Sequence, residues 1–114
     1  PHDDNKNPDH PVRGTCTVKF TPGQLTGPTL IKLETASDER GYFARTWCLN
    51  EFAENHIIYD FIQDSISVNL KKATLRGMHL QTAPYSEAKL IRCTHGAIYD
   101  VILDLREDSP TYLK

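Results

Sequence analysis

Residues 97–106, AIYDVILDLR, form the longest alternating run in the chain, and shorter runs of the same kind recur at intervals of about ten residues. A period of two suits an extended strand, whose successive side chains point to opposite faces, and does not suit a helix. The other runs are TCTVKF (15–20), TLIKLET (29–35), YFARTWCL (42–49), FIQDSISVNL (61–70), LRGMHLQ (75–81) and AKLIRC (88–93). Turn-forming stretches separate them: TPGQLTGP, SDERG, KKAT, TAPYSE, THG and, at the end, REDSP. Only EFAEN suggests a helix, with Asn50 placed to cap it and His56 to close its C-terminal end. Many short strands with no alternating helices predict an all-β antiparallel sandwich or barrel.

At 114 residues the chain has room for one core. Residues 1–14, PHDDNKNPDHPVRG, are polar, carry three prolines and show no periodicity. They are expected to be a disordered arm or an expression remnant, with the folded domain over 15–114. Thirteen Lys and Arg against fifteen Asp and Glu give a net charge of −2, so no strong field for nucleic acid is expected. No apolar run approaches the roughly 18 residues needed to span a bilayer, and a membrane protein is not expected. The only methionine is Met78, and the chain stops directly after a strand-like run. Both features suggest a piece of something longer. Cys16, Cys48 and Cys93 are widely spaced, without a CxxC pair. They are expected to be reduced, half-buried thiols in a cytoplasmic protein.

Strand parity sharpens the candidates. In FIQDSISVNL, Gln63, Ser65, Ser67 and Asn69 share one face, opposite Ile62, Ile66, Val68 and Leu70. The polar face meets either solvent or a wet cavity that holds a polar ligand. In LRGMHLQ, Arg76 and His79 fall on opposite faces, so service to one site requires a break in register, and Gly77 is the natural place for it. Lys89 shares a face with Ile91 and Cys93, where its charge either serves an anion or snorkels to solvent. His79, Gln81 and Glu87 have the outline of a metal-binding cupin cluster, but glutamine stands where a second imidazole would be needed. No metal and no cofactor are expected.

The ordered blocks RGYF, QDSIS, LRGMHLQ, KLIRC, GAIYDVILDLR and DSPTY resemble the dTDP-4-dehydrorhamnose 3,5-epimerase family over about residues 29–112. The resemblance implies a cupin-type jelly roll, incomplete at its C-terminus, that works without metal as a homodimer on a nucleotide sugar. By matched position, His79 resembles the general base and Lys89 the cation that meets the enolate oxygen. Arg40 and Arg76 resemble residues that hold the diphosphate. Phe43 and Gln63 resemble nucleotide contacts, and Gln81 joins the substrate-binding set. Two positions depart from the family: Arg45 stands where Glu is usual, and Ser65 where Asn is usual. Those departures leave open a single-carbon epimerase acting on another nucleotide sugar. A catalytically silent nucleotide-sugar-binding cupin is the third reading. The family's acid tyrosine and the aspartate that orients its histidine are expected beyond Lys114. Tyr85, Tyr99 and Tyr112 do not match the tyrosine's position.

Overall fold

A computed structural model describes residues 17–114. The expected arm over 1–14 lies outside the described residues, as does Cys16. Two units are distinguished: residues up to Ile57 with Ile102–Lys114, and Ile58–Val101.

In the first unit, β1 (Val18–Pro22) pairs antiparallel with β2 (Thr29–Leu33), and β3 (Thr35–Asp38) with β4 (Gly41–Ala44). The β1–β2 register sets Val18 opposite Leu33, Phe20 opposite Ile31 and Pro22 opposite Thr29. Val18, Phe20, Ile31 and Leu33 are at least partly buried, whereas Lys19, Thr21, Leu30 and Lys32 on the other face are exposed. This is the alternation the sequence predicts. Lys19 and Lys32 stand directly opposite each other, an unfavourable like-charge pair. Glu34 offsets it with an ion pair to Lys19 at 2.6 Å. That contact, followed by the Thr17 hydroxyl, holds the Glu34 carboxyl below its usual range and raises the Lys19 ammonium.

Helix α1 (Leu49–Glu54) closes the apolar side of β1. Phe52 is 1% exposed; its ring meets Phe20 edge-on at 5.2 Å and lies 6.3 Å from Trp47. The helix starts earlier than expected: Cys48 is its N-cap, without a side-chain cap bond, and Asn50 lies inside the first turn. Its other end is closed by backbone rather than by the His56 imidazole. His56 takes φ of 62° and donates its N–H to Ala53 O at 3.0 Å, while Ile57 N–H reaches Phe52 O at 2.9 Å. Both bonds together make a Schellman closure with histidine in the left-handed position.

Asp104 organises the C-terminal segment of this unit. It is 5% exposed and accepts Arg106 Nε at 2.8 Å, Arg106 N–H at 3.1 Å and Thr111 Oγ1 at 2.7 Å. Ser109 Oγ adds another bond at 2.5 Å. Arg106 also donates to Thr26 O, and Thr26 N–H donates to Thr111 Oγ1 at 3.2 Å. The β1–β2 loop and the 104–114 segment are thereby tied together. Gly27 permits the approach: at φ of 108° it lies where an added Cβ would be 3.3 Å from Arg106 Nη1. The Arg106 guanidinium, then the Ser109 and Thr111 hydroxyls, hold the Asp104 carboxyl far below its usual range.

The class is all-β, with one short helix among the described residues. The runs 61–70, 75–81, 88–93 and 97–106 do not join ladders, and no closed barrel forms among the described residues. A two-residue period specifies which side chains share a face, but a strand also needs a neighbour for its backbone N–H and C=O groups. The described residues supply that neighbour only to β1–β4. Turn signals fare better. TAPYSE turns with Tyr85 N–H donating to Thr82 O at 2.9 Å, and THG bends at Gly96 with φ of 80°. Cys48 is half-buried as expected, whereas Cys93 is exposed because the strand around it is unpaired. No helix among the described residues is long and apolar enough to cross a membrane.

Two outcomes follow from these contacts. Phe52→Ala removes the ring that Phe20 and Trp47 pack against, and a Phe→Ala change in a core costs about 3–5 kcal/mol. A guanidinium titration should show that loss as a lower midpoint. Asp104 has a folded pKa below its unfolded value, so its contribution is fully present above about pH 4 and is lost as pH falls below it. Asp104→Asn should flatten this acid limb when unfolding is followed by Trp47 fluorescence.

Candidate functional site

The site residues read from the sequence fall in both units. In the first unit, the β3–β4 hairpin reverses through Glu39 and Arg40. Gly41 follows at φ of 134°, a conformation that side-chain-bearing residues rarely adopt, and it lets the chain enter β4 straight after the turn. Asp38 binds the turn twice. Its carboxylate accepts the Arg40 backbone N–H at 2.9 Å and Arg40 Nε at 3.1 Å, with Nη2 closing the pair. Arg40 therefore holds the Asp38 carboxyl below its usual range, and Asp38 raises the guanidinium in return. The Arg40 side chain stays 84% exposed, so its remaining N–H groups are open to an anion.

Phe43 stands opposite Ala36 in the ladder. Arg40 and Phe43 line one open depression of about 260 Å³ with Ala36, Asp38, Gly41 and Tyr42. An exposed aromatic surface beside a restrained guanidinium can stack a flat ring and bind an adjacent oxyanion. Arg45, the first departure noted in the sequence, turns away to the helix. Its Nη1 donates to Glu51 Oε1 at 2.7 Å, with the two side chains only 27% and 20% exposed. This pair fastens the end of β4 to α1.

The second unit holds the remaining candidates. Arg76 Nε donates to Asn69 Oδ1 at 2.7 Å and Nη2 to Val68 O at 3.4 Å. Gly77 takes φ of 106°, so the extended backbone breaks between Arg76 and His79 where the parity argument requires it. No bulge results, because no partner strand pairs there. Lys89 Nζ lies 3.0 Å from Glu87 Oε1, and both side chains are nearly half exposed, at 47% and 43%. Gln63, His79 and Gln81 are exposed. The expected contrast between the faces of 61–70 is absent: Ile62, Ile66, Val68 and Leu70 are exposed, as are Gln63, Ser65, Ser67 and Asn69.

Arg40 and Phe43 are thus brought together, and Arg76 and His79 flank one backbone break. No hydrogen bond or ion pair joins His79 to Lys89. Asn69 is the residue whose part the sequence did not reveal. Two signals pointed to it: its parity with Gln63, and its place across the KKAT turn from Arg76. Among the described residues no three His, Cys, Asp or Glu side chains gather as a metal site. Elemental analysis of protein purified without chelator should show no stoichiometric transition metal. A tightly held metal that disappears in His79→Ala would contradict this.

The chain matches the family model for dTDP-4-dehydrorhamnose 3,5-epimerase over residues 22–114. A dTDP-4-dehydrorhamnose 3,5-epimerase of Sinorhizobium fredii is 40% identical over 85 residues, covering 75% of this chain and 44% of that protein. One from Methanothermobacter thermautotrophicus is 39% identical over 94 residues, covering 82% and 50%. A dTDP-4-dehydrorhamnose 3-epimerase of Streptomyces niveus is 33% identical over 96 residues, covering 83% and 46%. The chain spans about half the length of these relatives. No solved structure matches it.

Proposed function

The chain belongs to the dTDP-4-dehydrorhamnose 3,5-epimerase family, and on that premise we propose that the protein inverts carbons next to the 4-keto group of a dTDP-4-keto-6-deoxyhexose, in the synthesis of a deoxysugar such as rhamnose. The observation that carries this reading is the family match over residues 22–114, which includes every candidate side chain from Arg40 to Lys89.

The chemistry assigns each residue its task. A hydrogen α to a ketone leaves as a proton only if a base takes it while the charge gathering on the carbonyl oxygen is met by a fixed donor. His79 is the base, and an imidazole can accept that proton near neutral pH. Lys89 is the cation facing the enolate oxygen. Its exposed pairing with Glu87 is weak, so a localised anionic oxygen can take over the ammonium. A different proton, given by an acid on the opposite face of the ring, then reaches the same carbon, which inverts the centre and restores the ketone. His79 releases the proton it took to solvent. Arg40 and Arg76 bind the diphosphate, where forked N–H groups match phosphate oxygens. Phe43 stacks on the nucleobase, while Gln63 and Gln81 accept or donate to its polar edges and to the sugar.

The protein acts as a homodimer in the cytoplasm, and the β1–β2 sheet, two-stranded among the described residues, offers strands for such pairing. A second reading, inversion at one carbon only, has a specific support in the similarity to a 3-epimerase. Arg45 adds to it, since it is committed to Glu51 where the family usually has a carboxylate.

Proton exchange separates these readings. In deuterated solvent, the full-length protein should exchange both protons flanking the ketone. Exchange at one carbon alone favours the second reading, and nucleotide-sugar binding with no exchange identifies a silent binding protein. His79→Asn should slow exchange by about 10²–10⁴-fold with nucleotide binding retained. A rate within threefold of the parent removes His79 from the mechanism. Lys89→Met preserves the aliphatic length, so the protein should fold normally yet turn over more slowly. Unfolding of that variant would mark Lys89 as a packing residue.

A further inference from the structure

The KKAT reversal folds the chain so that Asn69 faces Arg76. Ala73 takes φ of 60°, and Thr74 Oγ1 donates to Lys71 O at 2.8 Å, which braces the turn between them. Across it, Asn69 Oδ1 accepts Arg76 Nε at 2.7 Å while Val68 O accepts Nη2 at 3.4 Å. Arginine offers only donors, so the amide oxygen of Asn69 must be the atom that faces it.

A guanidinium has two forked edges, one formed by Nε with a terminal nitrogen and one by the two terminal nitrogens. Asn69 and Val68 occupy the first. The end-on edge keeps its parallel N–H groups for a bidentate oxyanion. The side chain is also long and exposed, so an unrestrained Arg76 would lose rotamer freedom on binding, and a pre-set one loses less. The choice of amide matters as well. A carboxylate at position 69 could accept the same N–H but would cancel the charge that attracts an anion. An amide oxygen orients the guanidinium and leaves its charge intact.

We propose that Asn69 is a positioning residue, whose side-chain oxygen holds Arg76 side-on so that the end-on edge of the guanidinium meets the diphosphate of the nucleotide sugar. The proposal rests on the reading above in which Arg76 binds that diphosphate. Asn69 itself touches no substrate.

The test is a mutant cycle on the full-length protein, read as KM against kcat with the nucleotide sugar and as affinity for dTDP. Asn69→Ala should raise KM by about tenfold, the scale of one hydrogen bond to a charged group, with the effect on KM rather than on kcat. Placed in an Arg76→Ala background, the same change should have no further effect, because Asn69 acts only through Arg76. Asn69→Asp is isosteric and accepts the same bond. It should fold like the parent, bind dTDP more weakly and show a flatter salt dependence. The proposal is overturned if Asn69→Ala leaves KM within twofold while Arg76→Ala raises it, if the two effects add, or if Asn69→Asp binds dTDP as the parent does. Should Arg76→Ala itself leave dTDP affinity unchanged, the diphosphate reading of Arg76 fails, and the role of Asn69 falls with it.

Discussion

The Asp104 carboxylate is the interaction on which the first unit depends. Burying a charge is unfavourable unless every lone pair finds a donor, and Asp104 finds them in Arg106, Ser109 and Thr111. Those donors come from the segment that follows it, so satisfying the charge also folds residues 104–114 into a compact knot. Arg106 carries the arrangement onward to Thr26 in the β1–β2 loop. One buried charge therefore fixes a loop and a terminal segment that share no apolar periodicity. The sheet next to it relies on a different force. Phe52 seals the inner side of β1 through aromatic contacts, and burial of that ring needs no directional partner.

Three cations that the sequence singles out follow a common rule. Each is held by an acceptor close to it in sequence: Arg40 by Asp38 in the first unit, and Arg76 by Asn69 and Lys89 by Glu87 in the second. The acceptors differ in charge, and the difference has a physical meaning. Asp38 and Glu87 neutralise as they orient, which suits groups whose exposed pairing a ligand can displace. Asn69 orients Arg76 without neutralising it. Pre-set donors favour a reaction that develops negative charge, since they need little reorganisation when it appears.

How much of this was legible in the sequence differs from element to element. The short strand-like runs VKF and TLIKL located β1 and β2, because the preference for an extended backbone is a local property of residue type and spacing. KKAT, TAPYSE and THG were legible as turns for the same reason. The helix was placed correctly but its cap was not. Asn50 has the right chemistry for an N-cap, yet packing Phe52 under Phe20 pulls the helix start back to Cys48. Four further strand-like runs matched the period and join no ladder among the described residues, since periodicity carries no information about which edge a strand will meet.

By itself the sequence determined the all-β class, the turn positions and the family. Each of these depends on residue type and spacing along the chain. Only the tertiary structure decided that Asp104 is a buried anchor, that Arg45 is bound to Glu51, and that Asn69 faces Arg76. A polar side chain has many potential partners within reach of a flexible chain, and composition ranks none of them. Turn geometry and burial bring one partner into hydrogen-bonding distance and exclude water from the rest, and that selection exists only in the folded chain.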